Sequence, residues 1–411
     1  MSLDDSQVQL LAATYGTPLY VYSVQSILAQ ITAIRTAPSA FGTTVRYAVK
    51  ALSTRAVLQV MDRAGLEFDC SSEYEVYRVA SAGIQGSKIT LVSQQFPANP
   101  LELVQLGAQI LPTSLHQLKR YGEVAALPRS IGLRLNPGLG SGSTQKTNVG
   151  GPSASFGIWH GDISAAIALC SQFGLTVTKV HTHIGSGTDP SVWMRAAELS
   201  LGLLAQFPMV TVLSLGGGFK VARVEGEAQC DIQAVGEFVS AQMREFHVRT
   251  GREIRLEVEP GTFLVANAGW LLTQVADIVT TPAFTFLKLD SGMTEILRPT
   301  LYGSQHPITI LPRRTETQDY VVVGHCCESG DLLTPAPADS SLISPRLLTH
   351  AEIGDICVIG GAGAYCSSMS AKNYNSYPEA AEVLLRPEPL LIRSRQSLSQ
   401  ITQNELPLDP S

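Results

Sequence analysis

Charge is scarce in this chain. Only 16% of residues are Asp, Glu, Lys or Arg, and the formal net charge is −6. That balance leaves no basic footprint, so neither nucleic acid nor an anionic membrane is an expected partner. Long apolar runs are missing as well. The longest stretches, such as Phe263 to Val275, are broken by Asn267 and Gly269 and are too short to span a bilayer. The first residues, Met1-Ser2-Leu3-Asp4-Asp5, carry acids where a secretory signal needs positive charge. Cysteines number seven, none at metal-ligand spacing, and the closest pair, Cys326 and Cys327, are adjacent. An odd number of scattered cysteines predicts reduced thiols, no bound metal and a cytoplasmic location. What is plentiful is apolar surface. A hydrophobic share of 45% can bury a substantial core and is too high for a disordered chain. A length of 411 residues suits two domains, or one large domain with an appendage.

The middle of the chain alternates short β-type runs with longer helical patterns. Strands are expected at Val45–Lys50, Glu67–Ser71, Ile89–Ser93, Gln109–Ser114, Ile131–Asn136, Val177–Ile184, Val210–Leu215 and Arg255–Glu259. Amphipathic segments such as Ser53–Ala64, Glu73–Ala82 and Ser191–Gln206 lie between them. Eight strands separated by helices predict parallel βαβ units, and the count and span fit a closed (β/α)₈ TIM-like barrel over residues 24–275. After about Asp290 the texture changes to short strands, at Tyr320–Val323, Asp355–Ile359 and Glu382–Leu385, joined by turn-rich links. Residues 276–411 therefore read as a C-terminal β-rich domain. The strand-like Thr17–Tyr22 segment predicts that residues 1–23 join it. The stretch from Pro137 to Gly157, rich in Gly, Ser, Thr and Asn, is long for a loop inside a compact domain. A mobile lid near an active site is the favoured reading, and a plain flexible insertion the alternative.

In a barrel of this kind the chemistry sits at the C-terminal ends of the strands. Those ends deliver Lys50, Asp69 and Ser71, Ser93, Ser114, Asn136, His183-Ile184-Gly185-Ser186, Gly216-Gly217-Gly218 and Glu259-Pro260-Gly261. Glycine clusters at 185–187 and 216–218 expose backbone N–H groups with little side chain in the way, which suits a phosphate. A lysine amine, a phosphate cradle, an imidazole and a carboxylate are together what pyridoxal phosphate needs. Lys50 can form the Schiff base, His183 can lie against the ring, and Glu259 can hold the pyridine nitrogen protonated. Each piece alone has an ordinary explanation: a lysine paired with an acid, a hydrogen-bonded histidine, a glycine turn, a strand end. All four, however, fall at one end of one barrel, which those separate explanations do not account for.

The segments Tyr47-Ala48-Val49-Lys50-Ala51, His181-Thr182-His183-Ile184-Gly185-Ser186-Gly187, Glu259-Pro260-Gly261, Cys327-Glu328-Ser329-Gly330-Asp331 and Ala364-Tyr365 resemble the signatures of the fold-type III pyridoxal-phosphate-dependent decarboxylases. Within that group the likeness is greatest to the diaminopimelate decarboxylase branch, whose activity completes lysine biosynthesis. It extends from about Pro18 to Arg395. Gln145-Lys146-Thr147-Asn148, Phe156-Gly157-Ile158-Trp159, Arg298-Pro299, Leu301-Tyr302-Gly303 and Asn373-Tyr374-Asn375-Ser376 match further. The resemblance implies a carboxy-lyase with pyridoxal 5'-phosphate on Lys50, His183 stacked on its ring and Glu259 at its pyridine nitrogen. Ser186, Gly216, Gly217, Gly218, Gly261 and Tyr365 would hold the phosphate, and Asp69 is grouped with the cofactor-binding residues. Arg298 and Tyr302 would bind the distal carboxylate of the substrate, with Tyr365 also facing it. Cys327, as proton donor, and Glu328, as partner for a substrate ammonium, would enter the neighbouring subunit's site, implying a homodimer. A buried, inert thiol is the plainer reading of a free cysteine.

The chain departs from the family pattern at two places. Thr262 follows Glu-Pro-Gly where relatives carry arginine, and Tyr377 follows Asn-Tyr-Asn-Ser where they again carry arginine. A neutral hydroxyl does not replace a bidentate carboxylate fork. Either Lys146, Lys220 or Lys372 substitutes, or the distal end of the substrate differs. The alternatives are decarboxylation of ornithine, arginine, carboxynorspermidine, a D-amino acid or a siderophore precursor. A racemase is disfavoured because Cys327 stands where that chemistry needs a tyrosine base. A carrier or regulatory homologue without catalysis is disfavoured by the presence of Lys50, Glu259 and Cys327 together.

Overall fold

The computed structural model describes residues 3–142, 146 and 148–408. The chain divides into two compact units, one comprising Leu28–Ala222 with Glu227–Leu264, the other residues through Ile27, Arg223–Gly226 and Val265–Ser411.

In the first unit, parallel strands run in the spatial order Gln109–Ile110, Ile89–Leu91, Glu67–Cys70, Thr43–Ala48, Arg255–Val258, Val212–Ser214, Thr176–Thr182 and Ser130–Asn136. The ends of this series meet where the Arg134 N–H donates to the Pro112 carbonyl at 3.1 Å, closing an eight-stranded barrel. A two-residue strand, Ile158–Trp159, pairs with the end of Ser130–Asn136. The strands are mostly buried because both faces are covered, even where they carry charged residues. The helices that alternate with them begin at side-chain caps. Ser72 accepts from Glu75 N–H, Ser114 from Gln117 N–H, and Asp231 from the N–H groups of Gln233 and Ala234. Their buried faces follow helical spacing, as with Val57, Leu58 and Met61, or Trp193, Ala196, Ala197, Leu201 and Leu204.

Several strands stop earlier than the sequence suggests. Lys50 belongs to a 3₁₀ turn, Val49–Ala51, and Ser114 is a helix cap. Lys50 lies two residues beyond the end of its strand at Ala48, and Ser114 four beyond Ile110, with its hydroxyl accepting from Gln117 N–H.

The second unit is built on a sheet in which Leu19–Ser23 lies between two partners. It pairs antiparallel with Gly269–Thr280 and parallel with Ala381–Leu385. Outward from these lie Thr285–Leu289, Thr317–Val323 and Arg346–Thr349 on one side and Leu390–Arg393 on the other, while Ile356–Ile359 joins Gly269–Thr280 to Ile308–Leu311. Helix Asp5–Tyr15 packs Val8 and Leu11 against Leu19, Val21, Leu272, Leu311, Ala381 and Val383. The strand Gly269–Thr280 runs through residue 275, where the sequence suggests the barrel ends. Among the described residues no helix is long and apolar enough to cross a membrane.

Candidate active site

Successive inward-facing residues of a strand recur every second position, so the barrel interior fills in layers. In the first layer Glu257 binds Arg46 at 3.0 Å and is also paired with Lys179, while Arg46 reaches Glu67 at 2.6 Å. Two residues further along the same strands, His181 Nε2 lies 2.8 Å from Glu259 Oε2, and Ser214 Oγ donates to Glu259 Oε1 at 2.7 Å. Burial alone would raise the Glu259 carboxyl. His181, Lys179 and the Ser214 hydroxyl outweigh it and hold the group well below the usual carboxylate range, so it is ionised.

Two residues further again come Lys50, Ser71 and His183. The Lys50 amine lies 3.2 Å from Asp69 Oδ2 and donates to Ser71 Oγ at 3.2 Å. Asp69 is buried and its other oxygen, Oδ1, has no partner among the described residues. Burial, with the positive charges of Arg134 and Lys50, holds the His183 imidazole well below its usual range, so its ring is neutral; its buried Nδ1 has no partner among the described residues. Arg134 is buried to 8% exposure over the Phe156 ring, with Nε and Nη2 likewise unpartnered among the described residues. Buried polar atoms are ordinarily satisfied, so a cluster of orphans around one opening signals a missing polar group.

The glycines form the wall of that opening. A Cβ on Gly216 would stand 2.5 Å from His183 Nδ1, on Gly217 2.1 Å from the Glu259 carbonyl, and on Gly218 1.7 Å from the Gly185 carbonyl. Only bare backbone lets three strand tops converge so closely. Gly216 differs from expectation in one respect. Its N–H donates to Ser214 Oγ at 3.2 Å, so it makes room beneath His183 rather than offering a donor to a phosphate. Ser186 and Gly187 follow His183 on the same strand top, where Gly187 N–H donates to the Gly218 carbonyl. Gly261 lies directly after Glu259-Pro260, and Thr262 opens the short helix Thr262–Val265.

The flanks of the Pro137–Gly157 loop are fastened to the same region. Ser141 N–H donates to the Ile184 carbonyl at 2.7 Å, Ser141 and Asn148 both bridge to Gly185, and Asn136 binds the backbone of Gly138 and Gly151. Gln145 and Thr147 lie outside the described residues.

Arg298, Tyr302, Cys327, Glu328 and Tyr365 belong to the second unit. Arg298 and Tyr302 stand one turn apart on the helix Arg298–Tyr302, with the guanidinium 5.9 Å from the ring centroid, a bond to Ser304 Oγ, and a buried Nε without a partner among the described residues. Thr300, between them, donates to the Gly330 carbonyl at 2.8 Å and so ties this helix to the Cys327 loop. That loop is shaped by Asp331, whose carboxylate accepts from the N–H groups of Cys326 and Met293. Gly292 and Gly324 crowd Asp331 so closely that a Cβ on either would meet its Oδ2 at 2.2 Å. Cys327 and Glu328 are exposed, whereas the other six cysteines are buried. Tyr365 adopts φ 55°, a backbone state that a bulky residue holds only when its surroundings fix it. Of the candidate replacement cations, Lys372 is paired with Glu379 at 2.7 Å and Lys220 with Glu227 at 3.7 Å.

The interior partners Arg134, His181 and Ser214 are functional candidates that the sequence reading passed over. For His181 the signal is the alternation Lys179-x-His181-x-His183, matched by Glu257-x-Glu259, which puts chemically related groups on one face.

A family profile described as "Pyridoxal-dependent decarboxylase, pyridoxal binding domain" matches residues 24–266. The chain is 33% identical to the diaminopimelate decarboxylase of Streptomyces coelicolor, covering 100% of this chain and 94% of the relative. It is 33% identical to that of Escherichia coli K12, covering 96% and 95%. The chain belongs to the diaminopimelate decarboxylase family of fold-type III pyridoxal-dependent decarboxylases. The architecture agrees. A crystal structure of diaminopimelate decarboxylase superposes with a TM-score of 0.90 at 33% identity, over 97% of this chain and 96% of that one. The Helicobacter pylori diaminopimelate decarboxylase complexed with L-lysine gives 0.86 at 26% identity, over 97% and 98%. For this family the barrel is the pyridoxal-binding domain and the β-rich unit its C-terminal companion.

Proposed function

We propose that this protein is a cytoplasmic homodimer that decarboxylates meso-2,6-diaminopimelate to L-lysine and carbon dioxide, using pyridoxal 5'-phosphate held on Lys50. The observation that carries the reading is the barrel mouth, where a lysine amine, a neutral imidazole, an ionised carboxylate and a glycine-walled cradle surround unpartnered buried polar atoms. Those atoms and the donors and charges beside them fit the cofactor. When bound, it supplies an electron sink for the charge left on the α-carbon as carbon dioxide departs.

The protein's own groups do the rest. Asp69 and Ser71 aim the Lys50 amine. The neutral ring of His183 offers a flat face without competing for a proton. Glu259, kept ionised by His181, presents negative charge to a protonated nitrogen. Ser186, Gly217, Gly218, Gly261 and Tyr365 hold the phosphate, with Gly216 giving room. Arg298, with open donors, and Tyr302 take the distal carboxylate, and Glu328 takes the distal ammonium. Cys327, exposed on its own chain, serves the partner subunit's site as proton donor.

A second reading, decarboxylation of another amino acid or conjugate on the same scaffold, is favoured by Thr262 in place of arginine and by the pairing of Lys220 and Lys372 with acids. Reconstitution tests the cofactor assignment common to both. The wild-type protein should show visible absorbance with pyridoxal phosphate, and borohydride should fix the cofactor to Lys50. Lys50→Ala should lose the covalent label and nearly all turnover. Label on another lysine would displace Lys50.

A further inference from the structure

The turn that carries Tyr377 is built around the Cys327 loop. Tyr377 stacks on His325 with ring centroids 3.6 Å apart and planes 7° from parallel, and its hydroxyl donates to the His325 carbonyl at 3.2 Å. Two residues earlier, Asn375 Oδ1 accepts from the Cys327 N–H at 2.9 Å. His325 is held from another direction by Thr294 Oγ1, 2.7 Å from its Nε2. Asn373, Asn375 and Ser376 all have positive φ, of 59°, 51° and 61°. Asparagine tolerates that conformation and serine does so less readily, so three such residues close together mark a shape maintained by its contacts. Asn373 helps maintain it by donating to the Tyr377 carbonyl and to Gln396 Oε1.

We propose that Asn375 and Tyr377 are positioning residues for the Cys327 thiol: together they form a seat that fixes where this exposed loop presents its proton. The proposal rests on the reading of Cys327 as proton donor. In that step the Sγ–H bond breaks, the electron pair left on carbon after carbon dioxide departs forms the new C–H bond, and solvent water reprotonates the thiolate. A thiol on an exposed loop delivers its proton efficiently only if the loop is held, because misplacement by about 1 Å costs large factors in rate. Tyr377 also gains a physical role. Its ring is committed to His325 and its hydroxyl to the loop backbone, so the position that is arginine in relatives serves the loop here.

The test compares wild-type holoenzyme with Tyr377→Leu, Tyr377→Phe, Asn375→Ala and Cys327→Ala. Retained visible absorbance shows that each variant keeps its cofactor. Iodoacetamide labelling of Cys327, followed by mass spectrometry, reports on the thiol independently of turnover. Tyr377→Leu should label Cys327 several-fold faster and lower kcat by about tenfold with little change in KM, while Tyr377→Phe, which keeps the stack, should recover most of the rate. Asn375→Ala alters an exposed side chain and should shift labelling and kcat in the same direction, even if Tyr377→Leu fails to fold. Wild-type labelling and kcat in both Tyr377→Leu and Asn375→Ala, or in Asn375→Ala alone if the leucine variant does not fold, would overturn the positioning role. Wild-type turnover in Cys327→Ala would instead remove Cys327 as proton donor, whatever the labelling shows.

Discussion

At the scale of single residues, the clearest consequence of burial lies at Glu295. Its side chain is sealed from solvent with Oε1 unpartnered among the described residues, and Oε2 accepts from Thr294 Oγ1 and Gly292 N–H. Burial, added to the nearby Asp331 and Asp290 charges, outweighs those hydrogen bonds and pushes its pKa from 4.5 to about 7. The folded state therefore keeps a proton that the unfolded chain gives up near 4.5. The stability this confers is full below about pH 4.5 and is lost as pH rises to about 7, an effect on the order of 3 kcal/mol. Glu295→Gln should flatten that slope, and urea unfolding at pH 5 and pH 8 would measure it. An unchanged slope would place the titration elsewhere.

At the scale of elements, the barrel is organised by alternation along its strands. Arg46, Lys179 and Glu257 are all buried, and Glu257 bridges the other two. Removing the shared partner strips Lys179 of its ion pair and leaves Arg46 with Glu67 alone, so Glu257→Ala should cost about 3–5 kcal/mol in chemical denaturation. A loss below 1 kcal/mol would mean that water or another acid takes its place. This layer also explains the limits of the sequence. The eight strand positions were legible because apolar runs between helical patterns have few other readings, and so were Lys50, His183 and Glu259 at their ends. Arg46 and Lys179 were not, because a charged residue at every second place looks solvent-facing unless both faces of the strand are known to be covered. The strand Gly269–Thr280 was obscured because the apolar residues on either side of Asn267 and Gly269 read as one stretch from Phe263. The helix Asp5–Tyr15 does carry a local signal, the capping box of Asp4 with Gln7. The pairing of Tyr377 with His325 joins positions 52 residues apart and has no local signature.

At the scale of the whole molecule, the account assigns catalytic groups to two subunits. Lys50→Ala and Cys327→Ala proteins should each be nearly inactive alone. Mixed and re-formed dimers should recover about a quarter of wild-type activity, since half are heterodimers and each of these has one complete site. No recovery would mean that one chain supplies both groups to its own site. The substrate itself is the central claim, and Thr262 is the residue that sets it at risk. The most direct measurement is carbon dioxide release by the reconstituted enzyme from meso-diaminopimelate, L-lysine, L-ornithine and L-arginine side by side, with product identified. The account predicts release from meso-diaminopimelate with L-lysine as product, favoured by at least about 100-fold in kcat/KM. An enzyme that holds the cofactor on Lys50 yet prefers another of these substrates would contradict it.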